Sequence, residues 1–219
     1  MAEAKNTRKP PVLYLVLPCY NEEEVLPVSV PLFLGELERM VCAGKIDRGS
    51  RILFVDDGSR DGTWSLILGL AERDKRCLGI RQSRNRGHQN AIFAGMMEAE
   101  QNADAVITVD CDGQDDISAM EEMVDAYLDG CDIVYGVRKK RDTDTKFKRM
   151  TAECFYRLME ALGAGTVYNH ADYRLVSNRV IRALGQYQEV NLYLRGLFPL
   201  IGFNSTSVLY DRKERLSAW

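Results

Sequence analysis

The chain has 219 residues, 46% of them hydrophobic and 28% charged, and its 29 Lys and Arg against 32 Asp and Glu leave a formal charge of −3. That balance excludes a disordered, collagenous or disulfide-knotted chain. The longest apolar runs, Val12 to Leu17 and Ala105 to Val109, are strand-sized and far short of the ~18 to 20 residues that cross a bilayer.

Residues 1–11 read as a flexible N-terminus; they carry Lys5, Arg8 and Lys9 but no apolar signal core, which predicts a cytosolic start. Val12-Leu13-Tyr14-Leu15-Val16-Leu17 predicts a buried strand that stops at Pro18. Asn21 followed by Glu22, Glu23 and Glu24 predicts a helix start with acids in its first turn, made irregular by Pro27 and Pro31. Arg51 to Val55 predicts a second strand ending at Asp56-Asp57-Gly58-Ser59, after which Asp61 caps a helix to about Asp74. A short third strand is expected at Leu78 to Arg81, a helix at His88 to Gln101, and a central strand at Ala105 to Val109 that ends on Asp110. A helix near Ile117 to Leu128 and a fifth strand at Asp132 to Gly136 repeat the design. Beyond Arg149 the pattern predicts a helix to Leu162, another at Ser177 to Leu184 and a β-rich tail at Phe203 to Tyr210. Alternating strands and helices of this kind predict a single α/β domain with a mainly parallel sheet flanked by helices, Rossmann-like in layout. Each polar cluster follows a strand's carboxyl end, the edge where open α/β sheets bind ligands.

The six cysteines are spaced 20 to 35 residues apart without a C-x-x-C pair, so they read as reduced residues and not as a zinc site or disulfide framework. Charge is unevenly spread. Gly87 to Val137 holds twelve acids and no Lys or Arg, whereas Arg138 to Arg149 holds seven basic residues and two aspartates. That layout suits carboxylates that hold a metal beside cations that meet phosphate, and it argues against a nucleic-acid partner.

Asp110-Cys111-Asp112-Gly113-Gln114-Asp115-Asp116 places two carboxylates one residue apart on a turn, as a hard divalent cation requires. An EF-hand alignment puts Asp110, Asp112 and Glu121 at ligand positions, but it fails because Asp115 stands where the loop needs Gly and a strand precedes it. The other reading is an acidic loop capping the next helix. Val55-Asp56-Asp57-Gly58-Ser59-Arg60-Asp61-Gly62-Thr63 can present a carboxylate to a base or ribose, or serve as an Asx-turn and cap. Neither a G-x-x-x-x-G-K-[ST] loop nor a G-x-G-x-x-G after the first strand is present.

In order, Leu17-Pro18-x-Tyr20-Asn21-Glu22, Val55-Asp56-Asp57-Gly58-Ser59-x-Asp61-Gly62-Thr63, Asn85-x-Gly87 and Asp110-x-Asp112 resemble glycosyltransferase family 2, the inverting nucleotide-sugar enzymes. Asp112-Gly113-Gln114-Asp115, Tyr135-Gly136-Val137-Arg138, Ala171-Asp172-Tyr173-Arg174-Leu175 and Asn191-x-Tyr193-x-Arg195-Gly196 are similar to its polyprenyl-phosphate branch, the relatives of dolichyl-phosphate mannosyltransferase and the undecaprenyl-phosphate enzymes. The resemblance runs from Val12 to Arg215. It departs at Asp116, where relatives often have Pro. It departs again after Arg215, where relatives continue into membrane helices, so 12–219 is expected to be a catalytic domain truncated before them.

The resemblance implies a GT-A fold and transfer of a sugar from a nucleotide-sugar donor, UDP-linked by preference, to a polyprenyl phosphate at the cytoplasmic face of a membrane. It implies nucleotide contacts at Pro18, Tyr20, Glu22, Val55, Asp57, Asp110, Cys111 and Arg215. A Mg²⁺ or Mn²⁺ ion is implied at Asp110, Asp112 and Gln114. Asp172, Arg174 and Arg138 are the implied catalytic residues, with Arg212 a further phosphate contact. Asp172 reads either as a base or as the residue that orients Arg174. The basic run from Lys139 to Arg149 reads as an anionic-lipid contact or as a solvated loop over the donor, and Leu192 to Phe203 as core or as a lipid-facing groove. His88 and His170 have no partner at metal-ligand spacing and receive no role. Transfer to a saccharide hydroxyl, a non-catalytic nucleotide-sugar-binding module and nucleotidyl transfer stand as alternatives. The sequence does not fix the oligomeric state.

Overall fold

The computed structural model describes residues 9–139, 170–187, 193–212 and 215–216. The helix expected from Arg149 to Leu162, the basic run beyond Lys139 and residues 1–8 lie outside the described residues.

Seven strands form one sheet: β1 (Leu13–Cys19), β2 (Arg51–Asp56), β3 (Cys77–Arg81), β4 (Ala105–Thr108), β5 (Ile133–Arg138), β6 (His170–Ser177) and β7 (Ser205–Tyr210). Their spatial order is β3-β2-β1-β4-β6-β5-β7. β6 pairs antiparallel with both neighbours, and the other pairings are parallel. Six helices among the described residues cover the two faces: α1 (Leu26–Cys42), α2 (Thr63–Arg73), α3 (His88–Ala99), α4 (Ala119–Leu128), α5 (Asn178–Leu184) and α6 (Leu194–Ile201).

Strand alternation sorts the core into two layers. Leu13, Leu15 and Leu17 of β1 face Phe33 and Leu37 of α1, Ile67 of α2 and Met120 of α4. Tyr14 and Val16 face Ala91 and Met96 of α3, Ile181 of α5 and Phe198 of α6. Gly95 lets α3 lie close to the sheet: a Cβ there would stand 2.4 Å from Val16 Cγ1 and 2.8 Å from Val55 Cγ2. This close approach brings the start of α3 to the carboxyl ends of β1 and β2.

Three expectations change. β1 runs through Pro18 to Cys19, and the following helix starts at Leu26, not Asn21. Asn21 instead takes a left-handed φ of 55°, and the Glu22 carbonyl accepts from the Val25 and Leu26 amides, so the three acids precede the helix. β6 did not appear in the strand pattern, because Asp172 and Arg174 interrupt its apolar residues although both are buried. α6 buries Leu194, Leu197 and Phe198 in the core, whereas Tyr193 and Leu200 stand exposed.

Candidate functional site

The loops after β1 and β2 are stitched to one another by five hydrogen bonds. Asn21 N donates to Ser59 Oγ, Glu22 N to Thr63 Oγ1 and Glu23 N to Asp61 Oδ2, while Arg60 N donates to Asn21 Oδ1 and Gly62 N to Glu23 Oε2. Asp61 Oδ1 also accepts from the Thr63 amide and hydroxyl at 3.1 and 2.6 Å; Asp61 thus holds the turn that leads into α2 and is not its cap as expected, because the N-cap position is Gly62. Asn21, Ser59, Asp61 and Thr63 are therefore the braces of the site, leaving neighbours free to face it. Gly58, at φ 72°, is required here because a Cβ would strike the Arg84 and Asn85 backbone within 2.7 Å.

A cavity of about 480 Å³ opens at the carboxyl edge of the sheet. Pro18, Cys19, Tyr20, Glu22 and Arg215 line one wall, Asp57, Gly87 and His88 another, Asp110, Cys111 and Asp112 the floor, and Asp172 and Arg195 the far side. A larger hollow of about 730 Å³ at the opposite edge, near Asp104 and Asp132, contains none of the motif residues. The cavity thus collects most of the residues expected from sequence, from strands far apart in the chain.

Some expected residues stand elsewhere. Val55 is completely buried in the core and its side chain does not line the cavity. Gln114 turns to Arg212, to which its Oε1 is hydrogen-bonded, while its amide donates to Asp112 Oδ1 at 3.0 Å. Arg138 donates to Tyr210 Oη at 3.1 Å and lies 3.7 Å from Asp115, bracing the acidic loop against β7. Tyr210 Oη donates in turn to Asp115 Oδ1 at 2.9 Å. Arg174 is buried behind Asp172 and stacks its guanidinium 4.7 Å from the Phe198 ring centroid. Gln114, Arg138 and Arg174 therefore shape the site from outside the cavity. Sequence spacing missed the destinations of Gln114 and Arg138 because their partners lie on the tail and on β7, whereas Arg174 meets Asp172 on its own strand.

Asp57 lines the cavity, but its oxygens accept from the Arg86 and Gly87 amides at 2.7 and 2.9 Å, fixing the turn before α3; each oxygen keeps a lone pair for a ligand. Arg215 spans the mouth and donates to both Glu22 oxygens at 2.8 and 2.7 Å. Leu216 N donates to the Asp112 carbonyl at 3.1 Å, and Leu216 lies over Gly113, so 215–216 close over the acidic loop.

Asp172 is the centre of the far side. Its Oδ1 accepts from Arg174 Nη2 at 2.8 Å and Arg195 Nε at 3.1 Å, and its Oδ2 from Arg195 Nη2 and Gln89 Nε2, each at 2.9 Å. Burial pushes this carboxyl up, but His88, Arg195, Arg174 and Gln89 outweigh it and hold it well below the usual carboxylate range. Burial lowers the Arg174 guanidinium to about 10 against the charge of Asp172. His88 Nε2 lies 3.4 Å from Asp172 Oδ2 and 3.5 Å from Asp110 Oδ1. Hydrogen bonding to Asp172 raises its pKa against burial, and Asp110 adds to the rise. His88, Gln89 and Arg195 are the residues that sequence reasoning left without a role; the carboxylates they meet come from β4 and β6.

Among the described residues, no group of three or more His, Cys, Asp and Glu side chains converges as a complete metal cage. Asp110 and Asp112 nonetheless offer hard oxygen donors into the cavity. Burial raises the Asp110 pKa to about 6, with His88 opposing and Asp115, Asp112 and Asp172 adding to the rise. Such a concentration of negative charge fits a divalent cation that takes one or two carboxylates and completes its shell with phosphate and water.

The model of "Glycosyl transferase family 2" matches residues 14–185. The chain belongs to glycosyl transferase family 2. This family 2 chain is 49% identical over 207 residues to the uncharacterized glycosyltransferase YkoT of Bacillus subtilis, covering 94% of the chain and 61% of that protein. It is 34% identical over 204 residues to the bactoprenol glucosyl transferase of Shigella phage SfV, covering 93% and 64%. The chain thus spans less than two thirds of the length of these relatives. Among solved structures it resembles glucosyl-3-phosphoglycerate synthase of Mycobacterium tuberculosis in complex with Mn²⁺, UDP and phosphoglyceric acid, with TM-score 0.60 and 16% identity over 94% of this chain and 71% of that one. It also resembles the mannosyltransferase PcManGT of Pyrobaculum calidifontis in complex with GDP-mannose and Mn²⁺, with TM-score 0.60 and 16% identity over 92% and 56%. The family 2 domain has the GT-A fold, a mostly parallel sheet between helices, as the motifs implied.

Proposed function

We propose that this glycosyltransferase domain moves a sugar from a nucleotide-sugar donor, UDP-linked by preference, to a polyprenyl phosphate, with inversion at the anomeric carbon. The observation that carries the acceptor is the state of Asp172. A carboxylate that accepts from two arginines and Gln89 and is held well below its usual pKa is a poor base. A saccharide hydroxyl must lose its proton to such a base. A phosphate monoester, with a second pKa near ~6, arrives already ionised and needs only orientation and charge complementarity. Asp172 supplies these as a positioning residue by fixing Arg195, whose half-exposed guanidinium lines the cavity and can meet phosphate in bidentate fashion.

On the donor side, Asp110 and Asp112 would hold Mg²⁺ or Mn²⁺, which supplies Lewis-acid stabilisation of the departing diphosphate. Pro18, Tyr20, Glu22, Asp57 and Cys111 border the nucleotide, and Arg215, now on Glu22, stands at the mouth where a diphosphate would offer it another anion. An acceptor phosphate oxygen forms the new bond to the anomeric carbon as the bond to the nucleoside diphosphate breaks, and no proton is transferred. The likeness to bactoprenol glucosyl transferases supports this acceptor, which would place the reaction at a membrane surface, on its cytoplasmic face.

The test is a panel of UDP- and GDP-sugars with Mn²⁺ or Mg²⁺ and undecaprenyl phosphate, using this chain. A lipid-linked sugar and released nucleoside diphosphate are expected. Sugar transfer to saccharide hydroxyls with none to the lipid phosphate would replace this reading by the other family 2 chemistry.

A further inference from the structure

His88 is the single described side chain within 3.5 Å of a carboxylate on each side of the cavity, Asp110 on the floor and Asp172 on the far side. The two contacts are of nearly equal length, so the imidazole is shared. Asp172 Oδ2 is meanwhile crowded: Gln89 Nε2 and Arg195 Nη2 each donate to it at 2.9 Å, with His88 Nε2 at 3.4 Å. A carboxylate oxygen has two lone pairs, so three donors compete for two places. Gln89 and His88 share the first turn of α3, whereas Arg195 is 44% exposed on α6 and is the donor with the most freedom to leave.

We propose that His88 couples the donor half of the site to the acceptor half: when Asp110 gives its charge to a cation, His88 settles on Asp172 and frees Arg195 for the acceptor phosphate. The inference rests on the acceptor assignment above and adds an order to it. Without a donor, Asp172 holds both Nε and Nη2 of Arg195, so the guanidinium is positioned but offers the acceptor only its outer edge. With Asp110 committed to cation and diphosphate, His88 has one carboxylate partner left and displaces one of the two Arg195 contacts. Coupling of this kind is reciprocal, so acceptor phosphate tightens donor binding by the same factor.

The probe is a short-chain polyprenyl monophosphate in detergent micelles, titrated calorimetrically into the protein with and without Mn²⁺ and UDP. The wild-type chain is expected to bind it about 10-fold more tightly when Mn²⁺ and UDP are present, within the span of about 5- to 150-fold that site-to-site coupling commonly takes. In His88→Ala the enhancement falls below about 3-fold while the affinity for Mn²⁺ with UDP changes little. His88→Leu, which keeps bulk at the position without a donor, carries the same expectation if the alanine variant does not fold. An enhancement retained in the His88 variants overturns the coupling, as does a variant that loses Mn²⁺ and UDP binding outright, which would make His88 part of the donor site itself. If the wild-type chain binds the lipid phosphate under neither condition, the acceptor assignment fails, and that result is distinct from loss of coupling alone.

Discussion

The two sides of the cavity are built on different principles. The side proposed for the donor consists of turns that follow parallel strands, braced mainly by Asn21, Ser59, Asp61 and Thr63, so of the residues that face the cavity there Asp57 carries the main structural duty, at the turn before α3. The side proposed for the acceptor has no such division. Asp172 both faces the cavity and neutralises Arg174, which is 1% exposed in the middle of the fold. Function is more separable from stability on the first side than on the second.

The largest effect expected from that difference is at Asp172. Replacement by Ala leaves the buried Arg174 without its carboxylate, a change that costs about 3 to 5 kcal/mol in comparable buried pairs, and thermal or denaturant unfolding reads it directly. The milder Asp172→Asn variant exposes the pH dependence. Because the folded-state pKa of Asp172 is depressed, its stabilising contribution is complete above the ordinary aspartate value of about 3.9 and fades as pH falls below it. The stability gap between wild type and Asp172→Asn is therefore expected to grow as His88, whose pKa Asp172 raises, takes up its proton below about pH 7, to be complete near pH 5 and to narrow below about pH 4. The facing groups that share in this are His88, Gln89, Arg174 and Arg195, with Asp110 opposing. A gap that went on widening below about pH 4 would contradict the hub.

Asp112→Ala tests the other side. Turnover with Mn²⁺ is expected to fall by about 100- to 1,000-fold, the usual loss when one preorganised electrostatic partner of a transition state is removed, while the melting temperature barely moves. Equal losses of stability at Asp112 and Asp172 would erase the distinction between the two sides. Smaller again is Gly95→Ala, whose methyl meets Val16 and Val55; overpacking of this kind costs about 1 to 3 kcal/mol. Because it pushes the start of α3 away from the strand ends, it is also expected to raise the KM for the nucleotide sugar more than it lowers kcat, which steady-state kinetics resolves.

The same division explains what was legible in the sequence. Strands β1, β2 and β4 are continuous apolar runs ending in polar turns, so both they and Asp57, Asp110 and Asp112 stood out. β6 was hidden because a buried salt bridge breaks its hydrophobic pattern, and the register that sets Arg174 opposite both Thr108 and Tyr135 is a long-range fact. Glu22 to Glu24 looked like a first helical turn; the left-handed Asn21 and the bonds to the second loop won over local helix signals. The family resemblance implies a metal contact for Gln114 and a phosphate contact for Arg138, whereas Arg212 and Tyr210, far along the chain, engage them in the structure. His88 was passed over because its partners are 22 and 84 positions away.

The stitching of the first two loops bears on how donor preference can be altered. Each loop supplies donors and acceptors that the other needs, so a turn transplanted alone from a relative would strand backbone amides of the resident one and misplace Tyr20 or Asp57 before any new sugar were tested. Residues 20–24 and 57–63 behave as one exchangeable cassette, and a chimaera that swaps both together has the better chance of accepting a different nucleotide without losing its fold.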